Sequence, residues 1–121
     1  MRPAIVGVLL CSGVAAATAA LSADPVLTLR VWPTMAREPA LLKIVAVVPA
    51  DDRNRGLEII AQSDGYTRSS HIQLDGRDSQ RVWDVEFRDV PKGNYDVIGV
   101  LTGTDGRRAT VSRLVVIMPV H

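Results

Sequence analysis

From Val26 onward, apolar and polar residues alternate with a period of two rather than 3.6, which predicts strands with one wet face and one dry face. Between Val26 and Trp32, Thr28 and Arg30 point outward while Leu27, Leu29 and Val31 point inward. Leu41 to Val48 is a β-branched run whose wet side is marked by Lys43, so Leu42, Ile44, Ala46 and Val48 face the core. Gly56 to Ser63 sets Leu57, Ile59 and Ala61 against Glu58 and Gln62. Arg81 to Arg88 repeats the pattern, with Trp83, Val85 and Phe87 inward and Asp84, Glu86 and Arg88 outward.

Turn chemistry separates these runs. Pro33 and Pro39 bracket a loop, and Pro49 to Arg55 reads as a polar one. Asp64-Gly65 predicts a two-residue type I′ hairpin, which needs positive φ at both positions. The returning strand, Tyr66 to Leu74, ends at a second such pair, Asp75-Gly76. After Pro91 and Gly93 comes Tyr95 to Thr102, and Asp105-Gly106 leads into Arg107 to Met118. Seven short strands without a helical period predict an all-β fold, a seven-stranded antiparallel sandwich with one core. The last strand is apolar on both faces, so Val115 and Ile117 compete with Leu114 and Val116 for the interior.

The N-terminus follows a different rule. Arg2 precedes an uncharged apolar stretch to Ala20, with small residues at Ala17-Thr18-Ala19 and Ala20-Leu21-Ser22. This predicts a signal peptide over residues 1–20, cleaved between about 19 and 23, ahead of one domain over 25–119. The alternative is an uncleaved anchor helix. A lipoprotein reading through Cys11 fails, because Leu10 stands where a small residue is needed. The protein is therefore expected to be exported, to the periplasm or beyond.

With Arg2 set aside, the rest of the 121-residue chain carries 13 basic and 13 acidic side chains. Nucleic-acid binders depend on excess Lys and Arg, so no nucleic-acid partner is expected. No membrane partner is expected after signal cleavage. The single cysteine, Cys11, lies in the apolar leader, so the domain holds no disulfide or thiol nucleophile.

Pro91-Lys92-Gly93-Asn94-Tyr95 resembles the corner that opens strand F in immunoglobulin and fibronectin type III domains. That resemblance assigns Pro91, Gly93 and Tyr95 to a structural corner in which the tyrosine bonds back to the turn. The stretch from Phe87 to Gly106 is similar to secreted bacterial Ig-like modules and to carboxypeptidase-regulatory-like domains. Asn54-Arg55-Gly56-Leu57-Glu58 and Ser69 to Gly76 also resemble small exported proteins of unassigned function. The chain departs from antibody-type domains in having no strand B–F cysteine pair and no tryptophan on strand C.

Candidate chemistry is thin. Ser69 and His71 stand about 7 Å apart along one strand face, too far for a proton relay. The cluster Asp51-Asp52-Arg53-Asn54 offers oxygens to calcium, yet Arg53 and Arg55 oppose a cation, so a solvated loop is expected. No catalytic residue, metal or cofactor is expected, and the protein is read as a non-enzyme. Its expected role is a non-catalytic Ig-like module making protein–protein contacts with another envelope protein. The expected contact surface is the polar face of Thr67, Ser69, His71 and Gln73, or the final strand. The alternative is a carbohydrate- or peptide-binding module using Trp32 and Tyr66, and the third and weakest reading is a small enzyme, which would need His71 and two carboxylates in one cleft.

Overall fold

The computed structural model describes residues 27–120. The expected signal peptide, its cleavage site and Cys11 lie outside the described residues, as does His121. The described chain is all-β: β1 (Thr28–Trp32), β2 (Met35–Arg37), β3 (Ala40–Val47), β4 (Asn54–Gln62), β5 (Thr67–Gln73), β6 (Val82–Val90), β7 (Gly93–Gly103) and β8 (Gly106–Met118). A single 3₁₀ turn, Gly76–Asp78, interrupts the strands. Among the described residues no helix is long and apolar enough to cross a membrane.

Two sheets form. One has three strands in the order β1-β3-β6, the other five in the order β2-β8-β7-β4-β5. The alternation read from the sequence is what divides the faces. Leu27 and Leu29 on the first run, Leu42, Ile44, Ala46 and Val48 on the second, and Leu57, Ile59 and Ala61 on the third are all buried. Together with Phe87, Val90, Tyr95, Val97, Leu101, Val115 and Ile117 they make one cluster fed by both sheets. Trp83 and Val85 are partly buried against it. Burying such side chains is the main favourable term in folding, at roughly 25 cal/mol per Å² of apolar surface.

The expected seven-stranded antiparallel arrangement is corrected to eight strands with one parallel pair. β2 runs parallel to β8, with Met35 opposite Val116 and Arg37 opposite Met118. Three residues are too few to show a period, which is why the Pro33–Pro39 segment reads as a loop. Backbone bonds fix it in place: Val116 N–H donates to Thr34 at 2.9 Å and Glu38 N–H to Met118 at 2.9 Å.

Two turns also differ from expectation. Positive φ falls on Gly76, Gly93, Gly106 and Asp89, not on Asp64 or Gly65. Ser63 N–H donates to the Tyr66 carbonyl at 2.8 Å, so that hairpin closes without left-handed residues. Gly76, at φ 61°, opens the 3₁₀ turn that carries the chain from β5 to β6 in the opposite sheet, so Asp75-Gly76 is a crossover and no hairpin.

The last strand resolves in favour of Val115 and Ile117, both buried. Leu114 and Val116 face outward and are exposed. Parity decides this: Tyr95 and Val97 on β7 already point inward, and Tyr95 stands opposite Val115 in the register.

Candidate functional site

The loop between β3 and β4 meets the turn between β7 and β8 at one end of the molecule, and arginines collect there. Asp51 starts the arrangement. Its carboxylate accepts from the Arg53 backbone N–H at 2.8 Å, a local bond that bends the loop back on itself. The Arg53 guanidinium then donates to both oxygens of the same carboxylate, at 3.1 Å and 3.0 Å. From β8, Arg108 Nη2 reaches the second oxygen at 3.0 Å. Two guanidinium groups on one carboxylate hold Asp51 well below the usual range, with the Arg53 side-chain and backbone bonds as the leading causes. Asp51 in turn raises Arg53.

Arg108 is fixed from a second side. Its Nη1 donates to the Asn54 amide oxygen, and Asn54 Nδ2 donates to the Pro49 carbonyl at 2.7 Å. The β7–β8 turn is tied to this loop by Thr104 N–H donating to Arg53 O at 3.0 Å. Gly103 is where the two segments touch. A Cβ there would stand 2.7 Å from both Arg53 O and Arg108 Cδ, so only hydrogen fits.

Arg53, Asp105, Gly106, Arg107 and Arg108 line an open pocket of about 340 Å³ at this end. With Asp51 counted, three guanidinium groups face two carboxylates, an excess of one positive charge. Among the described residues Arg107 has no salt-bridge partner, whereas Arg53 and Arg108 share Asp51. Beside the pocket, Arg55 donates to the carbonyls of Asp52 and Asn54, each at 2.7 Å, and Arg77 pairs with Asp52 at 3.1 Å. Arginine held in a fixed fork matches planar, oxygen-rich anions.

The residues singled out from the sequence do not form one surface. Thr67, Ser69, His71 and Gln73 lie along the exposed side of β5, the edge strand of the five-stranded sheet. His71 stands opposite Glu58, and Ser69 opposite Ile60. Trp32 is in the other sheet, 68% exposed at the end of β1. It lines a groove of about 520 Å³ with Thr28, Leu29, Arg30, Val31, Thr34 and Arg113. Tyr66 is half-buried and packs edge-on against Tyr95, ring centres 6.2 Å apart. Trp32 and Tyr66 therefore do not make a shared platform.

At the opposite end from the arginines, Tyr95 Oη donates to the Pro91 carbonyl at 2.8 Å. Burial raises the Tyr95 phenol. Gly93 sits tightly beside it, where a Cβ would lie 3.0 Å from the Tyr95 ring.

Asn54 and Arg108 escaped the sequence reading. The first sat in a run read as a solvated loop, and the second in a strand valued for its apolar half. The one available signal was Arg107-Arg108 following an Asp-Gly turn, a double cation where a hairpin needs none.

No family model matches this chain, and no curated protein matches it. Solved structures do. The superoxide reductase (neelaredoxin) from Ignicoccus hospitalis superimposes with a TM-score of 0.62 at 6% identity, over 77% of this chain and 80% of that one. A variant of the same enzyme gives a TM-score of 0.63 at 6% identity, over 81% and 84%. A family 76 glycoside hydrolase from a bovine Bacteroides thetaiotaomicron strain gives 0.52 at 20% identity. That match takes in 79% of this chain but only 21% of the hydrolase.

These likenesses show the fold. They overturn the expectation of a non-catalytic module acting through protein–protein contacts, because the matched architecture is one that enzymes use. Alternating strands specify layers and leave open what is built on them. Reducing superoxide is one-electron chemistry and calls for a redox centre. Among the described residues no group of three or more His, Cys, Asp or Glu could hold a metal ion. The whole sequence has two histidines and one cysteine. The residues present do not fit such a centre.

Proposed function

We propose that this chain binds a small oxygen-rich anion in the pocket formed by Arg53, Arg107 and Arg108. One observation carries the reading: Arg108 is locked by Asn54 and Asp51, so its guanidinium is oriented before any ligand arrives. Preorganised donors lose little freedom on binding, which is where affinity for a small ligand is usually lost. Arg107 supplies a cation with no salt-bridge partner among the described residues, and Gly106, at φ 107°, keeps the rim open where a side chain would be strained. The fold likeness adds support of a modest kind. Superoxide reductases, which share the architecture, act on a small oxyanion.

The experiment is a titration with inorganic phosphate, followed by amide chemical shifts at low ionic strength. Shifts concentrated at Arg53, Gly106, Arg107 and Arg108 are the expected result, with Arg107→Ala weakening them at least tenfold, about 1.4 kcal/mol. Uniform shifts, or an Arg107→Ala variant that binds as before, overturn the reading.

The finer class and the destination of the protein are proposals as well. Membership in the Ig-like group is supported by the three-plus-five strand order and the Pro91–Tyr95 corner bond. Export is supported by the apolar, uncharged run behind Arg2.

A further inference from the structure

We propose, resting on anion binding at the arginine pocket, that its ligand is a singly charged α-hydroxy carboxylate and that Asp105 is the residue that selects it.

Two carboxylates stand at this pocket, and they differ in what is left of them for a ligand. Both oxygens of Asp51 accept from Arg53, and the second accepts from Arg108 as well. Asp105 lines the pocket, is exposed, and has no salt-bridge partner among the described residues. Its charge still reaches the site: Arg53 is raised first by its bond with Asp51 and further by the Asp105 carboxylate. A free carboxylate in an anion pocket repels a bare anion. It becomes an asset when the ligand carries a donor beside its negative charge, because hydrogen bonds to an ionised acceptor are the strong ones.

The chain sets that acceptor next to the cations. Asp105, Gly106 and Arg107 are consecutive, and nothing lies within 4 Å of the Gly106 Cβ position, which leaves the rim between acid and base open. Beyond them the pairing slips: Leu101 faces Ala109 while Thr102 faces Arg107, so Arg108 is the extra residue of a bulge. A regular strand sends consecutive side chains to opposite faces, and a bulge re-aims them. Here Arg107 and Arg108 line one pocket.

Charge narrows the ligand. Three guanidinium groups against Asp51 and Asp105 leave an excess of one positive charge, which a monoanion neutralises. A zwitterionic amino acid leaves that excess standing, and a dianion overshoots it. A hydroxyl beside the carboxylate supplies the donor for Asp105 without adding charge.

Amide chemical shifts of the full chain, followed at low ionic strength, test this with glycolate, acetate, glycine and inorganic phosphate. Glycolate is expected to bind about tenfold tighter than acetate, the gain of one hydrogen bond to a charged acceptor. Its carboxylate is the weaker base of the two, so the hydroxyl must account for the gain. Asp105→Ala is expected to abolish the preference while acetate binds at least as tightly as before. Glycine is expected to bind more weakly than glycolate. A preference that survives Asp105→Ala, or glycine binding tighter than glycolate, overturns the proposal. Phosphate shifts at the pocket with equal affinities for glycolate and acetate overturn it too, and leave anion binding standing. Silence from glycolate, acetate and phosphate alike overturns both.

Discussion

Arg108 donates a charge-assisted hydrogen bond to the amide oxygen of Asn54, a buried side chain with 2% exposure. The same asparagine donates to Pro49 O, so one residue ties the β3–β4 loop to the start of β8. Asn54→Ala removes both bonds and leaves the Pro49 carbonyl without this partner. A loss of about 1–3 kcal/mol is expected, read as a lower urea midpoint at constant slope. Phosphate binding should weaken as well, because Arg108 is then held by Asp51 alone.

Asp51 predicts how stability responds to acid. Its carboxyl is depressed in the folded protein by the hydrogen bonds from Arg53, helped by the nearby charge of Arg108. A depressed folded value means the unfolded chain takes up protons first as pH falls. The stabilisation is therefore complete above the unfolded carboxylate value of about 4. It is lost progressively as pH falls below that value toward the lower, folded one. Melting temperature against pH should show this acid-side fall, and Asp51→Asn should flatten it while lowering stability at neutral pH.

Gly103 is a sharper test of how the arginine end is assembled. A methyl group there would meet Arg53 O at 2.7 Å, a backbone atom that cannot swing aside. Gly103→Ala should destabilise the protein by about 1–3 kcal/mol through overpacking. Gly65→Ala is the control, since nothing lies within 4 Å of its Cβ position and its φ is not positive. It should change thermal stability little. Equal effects from the two substitutions would remove the case for close contact at Gly103.

What the sequence disclosed and what it hid have separate physical causes. Leu42, Ile44, Ala46 and Val48 could be placed inside from pattern alone, because a period of two is a local property of an extended chain. β2 could not, since three residues in parallel pairing with a strand some eighty positions later leave no local trace. The phase of β8 was open because Leu114 and Val115 are both apolar; only the register against β7 separates them. The arginine pocket was hidden for a related reason. Asn54 and Arg108 lie 54 residues apart, and their meeting depends on β4 and β8 both pairing with β7. A solvated loop and a strand end each had an adequate local explanation. By contrast, the Pro91–Tyr95 contact spans four residues and is written almost entirely in local sequence.

Tyr95 also carries a prediction that separates packing from hydrogen bonding. Its ring is buried at 1% exposure among core residues, and its hydroxyl donates to Pro91 O at 2.8 Å. Tyr95→Phe keeps the ring and removes only the donor, leaving a carbonyl that loses this bond. The expected cost is about 1–2 kcal/mol in a denaturant titration. Tyr95→Ala also empties a large core site and should cost about 3–5 kcal/mol, close to the whole stability of a small domain. Because burial raises the Tyr95 phenol, spectrophotometric titration of the folded protein should show its ionisation at higher pH than that of a free tyrosine. The Phe variant should lose that late phase. If Tyr95→Phe costs as much as Tyr95→Ala, the hydroxyl bond and not the ring holds the corner, and the core around Val97 and Val115 matters less than its burial implies.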